Sequence, residues 1–316
     1  MSFLDTVVAR ASIIRHSLSG GLSFIAKLED QTSDLKMLAA QVLIETHRSM
    51  SKPRSIRERE FKVFSQFGDD GIIQYLISAL APLPEIFIEF GVQDYRESNT
   101  RFLLQHDNWK GLVLEASARE VAAIRRQSVY WRHDLTAVRA FVTRDNVNDL
   151  FSANGFSGQI GLLHIDIDGN DYWVWEAVRV VDPVIVIVEY NSVFGPDRAL
   201  TIPYDPAFAR GRAHYSHLYW GCSLTALARL AQTKGYRFIG CNSAGNNAYF
   251  VREERAAPLP SPTAQDGFVA SKFRESRSRN GYLNFLGGAD RVREIGEMQV
   301  FDLERQALIK LNELSK

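Results

Sequence analysis

The hydrophobic pattern divides the chain into a helical N-terminal part and a longer alternation of strands and helices. Over residues 3–18, and again over 35–46, apolar residues recur at the i, i+3, i+4 and i+7 spacing of an amphipathic helix. A basic, polar stretch containing Pro53 follows over 48–62. We therefore predict an N-terminal helical arm and a basic connector over residues 1–63.

From residue 64 to residue 255, short apolar runs typical of buried strands alternate with helical segments. Helices are predicted over 72–80, 99–107 and 224–234 from their apolar spacing. The predicted strands are IFIEFGV (86–92), GLVLEAS (111–117), VYWRHDL (129–135), GLLHIDID (161–168) and VIVIVEYN (184–191). Continuous Val and Ile runs indicate strands covered on both faces, and therefore a mostly parallel sheet with crossover helices.

Two further strands close this region. YRFIGCN (236–242) and NAYFVRE (247–253) are separated by only four residues, so they must pair as an antiparallel hairpin. Five βα units followed by such a hairpin predict an α/β fold with the Rossmann-like sheet of the class I methyltransferases. We place this core domain at 64–255.

Residues 256–316 form a C-terminal extension. It begins with a Pro-rich linker, continues with a predicted strand pair around Asn280-Gly281, and ends in a predicted helix from about Leu303. The chain thus contains a helical arm (1–63), a core (64–255) and an extension (256–316).

Composition narrows the class of protein. The 316 residues carry 37 basic and 37 acidic side chains, and this balance argues against a nucleic-acid partner. Cys222 and Cys241 form neither a C-x-x-C pair nor a zinc-ligand set. Free thiols fit a reducing compartment, and no signal peptide or membrane-spanning run is evident, so we expect a cytoplasmic protein.

Acidic residues stand where ligands of a parallel sheet bind, beyond the carboxyl ends of the strands. The first strand ends in the run Glu89-Phe90-Gly91-Val92-Gln93-Asp94, Glu115 ends the second, and Asp134 ends the predicted third. A strand-end carboxylate can accept hydrogen bonds from both hydroxyls of a ribose, and Asp134 is placed to meet an adenine amino group. The chain has no G-x-G-x-x-G loop, and acidic strand ends repel phosphates. A cationic, phosphate-free nucleoside, S-adenosylmethionine, therefore fits best.

Six segments carry a resemblance to a known family. They are FSQFGDDGII (64–73), IEFGVQDYRESNTRFLL (88–104), HIDIDGNDYWVWEAV (164–178), EYNSVFGP (189–196), PYDPAF (203–208) and CNSAGNNAYFVRE (241–253). These segments resemble the S-adenosylmethionine-dependent methyltransferases, and in particular FkbM-like proteins, which are associated with polysaccharide biosynthesis. The resemblance implies that Glu89, Gly91 and Glu115 hold the cofactor. The full predicted cofactor set is Gln66, Glu89, Gly91, Asp94, Asn99, Glu115, Asp134 and Asp166.

Methyl transfer to an alcohol requires an aligned acceptor that loses a proton. Two alternatives could assist this loss. Asp168, Glu189 and Asn191 could hold Mg²⁺ or Mn²⁺, because these metals prefer oxygen ligands. His214, which follows the 203–208 loop, could instead act as a general base. The predicted catalytic residues are therefore Asp168, Glu189 and His214.

The resemblance implies a sugar hydroxyl as acceptor, on a nucleotide sugar or a glycan. The predicted acceptor contacts are Asn170, Asp171, Asn191, Tyr204 and Arg274. Asn170 or Asp171 could instead cap the next helix, and Arg274 could belong to a solvated charge run.

Two other functions remain open at the level of sequence. The Gly-poor loop after Gly91 favours a scaffold protein that keeps the methyltransferase fold without its chemistry. Asp166, Asp168 and Glu189 would be the ligands of a metal-dependent hydrolase. The N-terminal arm has three alternative roles: a homodimer contact, a contact with a glycosyltransferase, or a weak contact with a membrane surface.

Overall fold

The computed structural model describes residues 31–315, and the chain divides after Ser49 into two units. In the first unit the described residues form one helix, α1 (31–49), which contains the predicted helix over 35–46. The predicted helix over 3–18 lies outside the described residues. Among residues 31–315, no helix is both long enough and apolar enough to cross a membrane.

Within the described residues, the second unit contains a main sheet of seven strands and a smaller sheet of three strands. Its strands are β1 (Ile86–Phe90), β2 (Lys110–Glu115), β3 (Leu135–Arg139), β4 (Gly158–Ile165), β5 (Val181–Glu189), β6 (Leu200–Thr201), β7 (Tyr236–Cys241), β8 (Asn247–Arg252), β9 (Gln299–Asp302) and β10 (Ala307–Lys310). Its α-helices are α2 (Asp69–Leu80), α3 (Arg101–Gln105), α4 (Ala118–Arg126), α5 (Ser128–Arg132), α6 (Val147–Ala153), α7 (Asp171–Ala177), α8 (Arg210–Ala213), α9 (Leu224–Thr233), α10 (Ala264–Gly267) and α11 (Ala289–Glu294). Short 3₁₀ turns occupy Ile56–Arg59, Ser192–Phe194, Glu253–Arg255 and Leu311–Ser315.

The strand order of the main sheet is β3-β2-β1-β4-β5-β8-β7. β1 to β5 pair in parallel, whereas β8 is antiparallel to both of its neighbours. The predicted parallel sheet and its terminal antiparallel hairpin are thus confirmed. This order, with β8 inserted between β5 and β7, is the Rossmann-like class I methyltransferase fold.

The strands are covered on both faces, as their apolar runs predicted. Along β5, Val186 and Val188 enter one hydrophobic cluster, and Ile185 and Ile187 enter a second one. Side chains alternate across a strand, so a continuous run of Val and Ile serves two cores at once.

The predicted third strand was misplaced. Residues 128–132 form α5, and β3 begins only at Leu135. A helical turn buries Val129 and leaves Trp131 72% exposed, whereas Leu135 and Ala137, on one face of β3, are both buried in the core. Asp134 therefore precedes a strand instead of ending one.

The C-terminal extension also differs from the prediction. One antiparallel bridge, Arg277 to Leu283, represents the predicted strand pair around Asn280-Gly281. The predicted helix from about Leu303 is wrong: β9 and β10 form an antiparallel hairpin, and β9 also pairs with β6. Asp302 Oδ1 accepts hydrogen bonds from the amides of Glu304 and Arg305, which stabilises the turn between the two strands.

The end of the predicted basic connector packs within the second unit. Ile56 is fully buried, and the amide of Gly71 donates to the carbonyl of Phe61 (3.1 Å). Asp70 Oδ2 accepts hydrogen bonds from the backbone amides of Val63, Phe64 and Ser65. The structure thus divides the chain at 49/50, whereas the sequence placed a boundary at 63/64.

Candidate functional site

A cleft of about 740 Å³ opens at the carboxyl ends of the parallel strands. It lies where an open α/β sheet places its ligands. Four predicted cofactor residues line it: Gln66, Gly91, Glu115 and Asp166. Four residues predicted for catalysis or the acceptor also line it: Asp168, Asn170, Glu189 and Arg274.

The floor of the cleft is a tight turn after β1. Gly91 has a φ of +69° and lies against the backbone of Asp166. Glu115, at the end of β2, holds this turn because its Oε2 accepts from the amide of Gln93 (2.9 Å). Its Oε1 accepts from the amide of Ser117, which caps α4 (2.8 Å). One carboxylate thus orders two backbone segments at the edge of the cleft.

Glu89 does not line the cleft but lies beneath it. It is buried, and it accepts hydrogen bonds from His164 Nδ1 (2.9 Å), Ser98 Oγ (2.5 Å) and the amide of Asn99 (3.0 Å). Burial opposes ionisation of Glu89, yet the hydrogen bond and charge of His164 bring its pKa below the ordinary value. The Asn99 side chain lies 3.2 Å from His164 Nε2. Glu89 and Asn99, which were both predicted to contact the cofactor, therefore support the loop before α3.

Two other predicted cofactor residues lie away from the cleft lining. Asp94 Oδ1 accepts from the amide of Arg96 (3.1 Å), so it shapes its own loop. Asp134 lies at the start of β3 and faces Lys110 at the start of β2 (3.9 Å). Because these strands are parallel, Asp134 lies at the edge of the sheet opposite Glu115.

Asp166 and Glu189 form a carboxyl pair in the wall of the cleft. Their strands are in register up to Ile165 and Val188, so the two carboxyls follow side by side. Burial raises the pKa of both, and mutual repulsion with Asp168 adds to the effect. No N–H or hydroxyl donor of the described residues reaches Glu189 Oε2.

Asp168 is neutralised by a cation that the sequence analysis missed. Arg210 Nη1 donates to Asp168 Oδ1 (2.6 Å), and Arg210 Nη2 donates to Glu275. The guanidinium also lies over the Trp220 ring, 4.7 Å from its centroid. Arg210 and Glu275 both line the cleft. The available signal was the basic run directly after the 203–208 loop.

The loop after β4 is ordered by Asp171, which does not line the cleft. Its two oxygens accept from the amides of Ile167 and Gly169, both at 2.9 Å, and burial raises its pKa to about 7. Asp168, between these two amides, takes a left-handed φ of +54°. The predicted acceptor contact Asp171 is thus a positioning residue.

Two of the three predicted metal ligands, Asp168 and Glu189, line the cleft, but the third, Asn191, does not join them. Asn191 donates from Nδ2 to the carbonyls of Leu218 and Trp220, and its Oδ1 accepts from the amide of Val193. It does not line the cleft, and Asp168 already has Arg210 as its cation. Within residues 31–315, no group of three or more His, Cys, Asp or Glu could hold a metal ion. The residues do not fit Mg²⁺ or Mn²⁺.

Two further predicted residues lie outside the cleft lining. His214 Nδ1 lies 2.7 Å from Ser216 Oγ, and burial lowers the pKa of the imidazole. The Tyr204 hydroxyl donates to Asp145 Oδ2 (2.5 Å). The predicted base, His214, therefore bonds within its own loop, whereas the predicted acceptor contact, Tyr204, bonds to a residue 59 positions earlier in the chain.

Aromatic side chains complete the cleft. Phe67 and Phe273 both line it and stack at 5.7 Å with an interplanar angle of 13°. Phe141, after β3, lines another part and is half exposed. The sequence analysis missed all three, although Phe67 and Phe273 are adjacent to the predicted Gln66 and Arg274.

No family model matches the chain, and a search of the curated proteins found none similar in sequence. Among solved structures, the chain is similar to the N-terminal domain of EvdMO1, studied in the presence of S-adenosylhomocysteine and D-fucose. Identity is 10%, coverage is 58% of this chain and 80% of that one, and the TM-score is 0.37.

Two other similar structures are methyltransferases. The O-methyltransferase from Bacillus cereus in complex with S-adenosylhomocysteine is 11% identical, covers 69% of this chain and 90% of its own, and gives a TM-score of 0.37. The precorrin-6y C5,15-methyltransferase from Geobacter metallireducens is 13% identical. The match covers 61% of this chain and 90% of that one, with a TM-score of 0.34. The fold assignment rests on the strand order described above.

Proposed function

We propose that this protein is an S-adenosylmethionine-dependent O-methyltransferase whose acceptor is a sugar hydroxyl on a nucleotide sugar or a glycan. One observation carries the proposal. The Gly91 turn, the strand-end Glu115 and the Asp166–Glu189 pair meet around one cleft at the carboxyl edge of a class I methyltransferase sheet.

The residues of the cleft fit this cofactor. Its volume lies within the roughly 300–1,000 Å³ of small-molecule sites. Gly91 allows the backbone to approach a ligand closely. Gln66, Gly91, Glu115 and Asp166 would hold the cofactor, with Glu115 accepting from ribose hydroxyls. When bound, S-adenosylmethionine supplies a methyl group activated by a positively charged sulfur, and the acidic lining of the cleft favours that charge.

On the acceptor side, the chain itself must orient a hydroxyl and accept its proton. Glu189 lies in the cleft wall, and burial raises its pKa, which makes its carboxylate a stronger base than that of an ordinary glutamate. Asn170 is held in the same wall by its Nδ2, which donates to the carbonyl of Asp205 (2.8 Å). The stacked pair Phe67–Phe273 contributes an apolar part of the lining that excludes water.

The shape of the Gly91 loop supports a binding site over an inactive scaffold. Gln93 and Tyr95 take left-handed φ values of +48° and +64° without being glycines. Such backbone is costly for these residues and persists only where the surroundings hold it. Here Glu115 holds the amide of Gln93, and the Tyr95 hydroxyl lies 3.1 Å from Thr100 Oγ1. The loop therefore keeps its turns although further glycines are missing.

The test of the proposal is calorimetric titration of the full chain with S-adenosylhomocysteine, with and without Mg²⁺ or Mn²⁺. We expect micromolar binding that neither metal changes. Methyl transfer from labelled S-adenosylmethionine to a panel of sugars and nucleotide sugars then tests the acceptor. A folded protein that does not bind S-adenosylhomocysteine contradicts the proposal. Binding without transfer to any sugar contradicts the acceptor assignment alone.

The proposal includes a cytoplasmic location, supported by the buried free thiols of Cys222 and Cys241. It also includes a carbohydrate partner and no nucleic acid. A homodimer, a glycosyltransferase contact and a membrane-surface contact remain alternative roles of the N-terminal arm.

A further inference from the structure

Two buried oxygen atoms in the wall of the cleft lack a hydrogen-bond donor. They are Asn170 Oδ1 and Glu189 Oε2, on side chains that are 4% and 7% exposed. Both residues line the cleft. Buried polar atoms are almost always paired, because an unpaired one loses its hydration without compensation. A hydrogen-bond donor on a molecule that enters the cleft would pair these two oxygens.

The surrounding protein uses its own donors elsewhere. The side-chain amide of Asn170 is oriented by the hydrogen bond that its Nδ2 donates to the carbonyl of Asp205. Asn170 Oδ1 is left without a donor from the described residues. Beside Glu189, the antiparallel neighbour Asn247 donates its amide to Asp69 Oδ1 (3.0 Å). Arg210 donates to Asp168, to Glu275 and to the carbonyl of His217.

The charge of the wall restricts the ligand further. Five carboxylates and two guanidiniums stand among the described residues of the lining. One of the two guanidiniums, Arg210, is already shared between Asp168 and Glu275. Burial and then the charges of Asp166, Asp168 and Asp171 disfavour a negative charge on Glu189 and raise its pKa, whereas the charge of Arg210 opposes this shift. An anionic group at this wall would meet repulsion, whereas a neutral or positively charged donor would not.

We infer that this wall binds the reacting sugar unit of the acceptor through hydrogen-bond donors to Asn170 Oδ1 and Glu189 Oε2, and that it takes uncharged or amine-bearing units and rejects anionic ones. The inference rests on the proposed function, because it assumes that an acceptor binds beside the cofactor. The donors are hydroxyl groups or an ammonium group of the sugar, and a comparison of neutral with amino sugars distinguishes the two.

The experiment titrates the full chain, saturated with S-adenosylhomocysteine, with the methyl glycosides of glucose, glucosamine and glucuronic acid, and with the corresponding galactose series. We expect the neutral or the amino sugar to bind at least about tenfold more tightly than the uronate. This is the change in affinity that the loss of one buried hydrogen bond would give. Equal or tighter binding of the uronate overturns the inference. So does failure of every neutral and amino sugar to bind.

Two variants connect the ligand to the two oxygens. Asn170→Leu should weaken binding of the neutral and the amino sugar alike, by about tenfold. Glu189→Gln should weaken the amino sugar more than the neutral one if an ammonium group meets Glu189, and both equally if a hydroxyl does. Glu254→Gln, on an exposed residue outside the lining, is the matched control and should change neither.

The affinity for S-adenosylhomocysteine distinguishes a failure of this inference from a failure of the proposed function. If the variants retain it and sugar binding is unchanged, the inference is wrong and the cofactor assignment stands. If the wild-type protein does not bind S-adenosylhomocysteine, the proposed function itself fails. Asn170→Ser, which shortens the side chain, serves as a second variant if Asn170→Leu does not fold.

Discussion

A β-carbon on Gly91 would lie 1.9 Å from the carbonyl oxygen of Asp166. The turn after β1 and the end of β4 therefore touch through backbone atoms at the floor of the cleft. The obstacle is a backbone carbonyl and not the end of a flexible side chain, so an added methyl group can be accommodated only if one of the two strand ends moves.

Gly91→Ala should therefore reduce affinity for S-adenosylhomocysteine and lower the free energy of unfolding. The left-handed φ of +69° alone costs about 1 kcal/mol or more, and the contact with Asp166 adds to it. Gly155→Ala is the matched control, because Gly155 has a φ of +78° with open space around it. Comparing the two variants by thermal unfolding and by calorimetry isolates the effect of the contact between residue 91 and Asp166. Equal losses in both would mean that the Asp166 contact has no effect.

Glu115→Ala should weaken S-adenosylhomocysteine binding by at least about tenfold, because the ribose hydroxyls lose their acceptor and Gln93 loses its anchor. The fold should survive, with a modest fall in melting temperature. Glu115→Gln keeps one acceptor oxygen and should give an intermediate affinity. Unchanged affinity in Glu115→Ala would remove this residue from the cofactor site.

The link from Arg210 to Asp168 and Glu275 should show coupling in a double-mutant cycle. Arg210→Met combined with Glu275→Gln should give a coupling energy of about 0.5–1 kcal/mol at low salt, since Glu275 is 45% exposed and partly screened. The coupling should shrink at high salt. Denaturant unfolding of the four proteins measures it. A coupling energy of zero at low salt would show that the ion pair does not tie the extension to the cleft.

Stability of the ligand-free protein should fall as pH rises from about 5 to about 8. Asp171, with a pKa raised to about 7 by burial and then by Asp166, stays protonated in the folded state above the pH at which the unfolded chain ionises. Glu189 is shifted in the same direction, by burial first. The folded state thus binds more protons in this range, so its stability is greatest below the unfolded pKa and is lost as pH rises through the folded pKa.

Glu189→Gln should flatten this dependence and raise the melting temperature at pH 8, because it removes one of the repelling carboxyls. Melting curves between pH 5 and pH 8 test this. Glu254→Gln is again the exposed control, and its curve should parallel that of the wild type. A wild-type melting temperature that rises steadily with pH would contradict the assigned direction of the pKa shifts.

The fold was largely predictable because its signals are local. The apolar run of β5 and the helical spacing before Pro82 each specify one element, and both elements were found within a few residues of their predicted bounds. The third strand was misplaced because Val129 and Trp131 fit a strand as well as a helical turn. The C-terminal helix was wrong because β9 depends on pairing with β6, about a hundred residues earlier in the chain.

The site was only partly predictable for a similar reason. Glu115 could be placed from its strand end alone, since a parallel sheet brings all its carboxyl ends to one edge. Asp166 was predicted only through the resemblance of its segment to the methyltransferases. Arg210 and Phe273 lie in loops whose paths no local pattern specifies. His214 has the right chemistry for a base, yet its nearest partner is Ser216, two residues away.

The order of apolar and polar residues along this chain was sufficient to determine the parallel sheet, its terminal hairpin and the edge at which the cleft opens, because strand periodicity and connection length act over short distances. Tertiary structure alone decided which carboxylates face the cleft, which ones hold loops, and which cation neutralises Asp168. Those outcomes depend on register between strands and on contacts between segments far apart in sequence, where competing hydrogen-bond partners decide the role of each side chain.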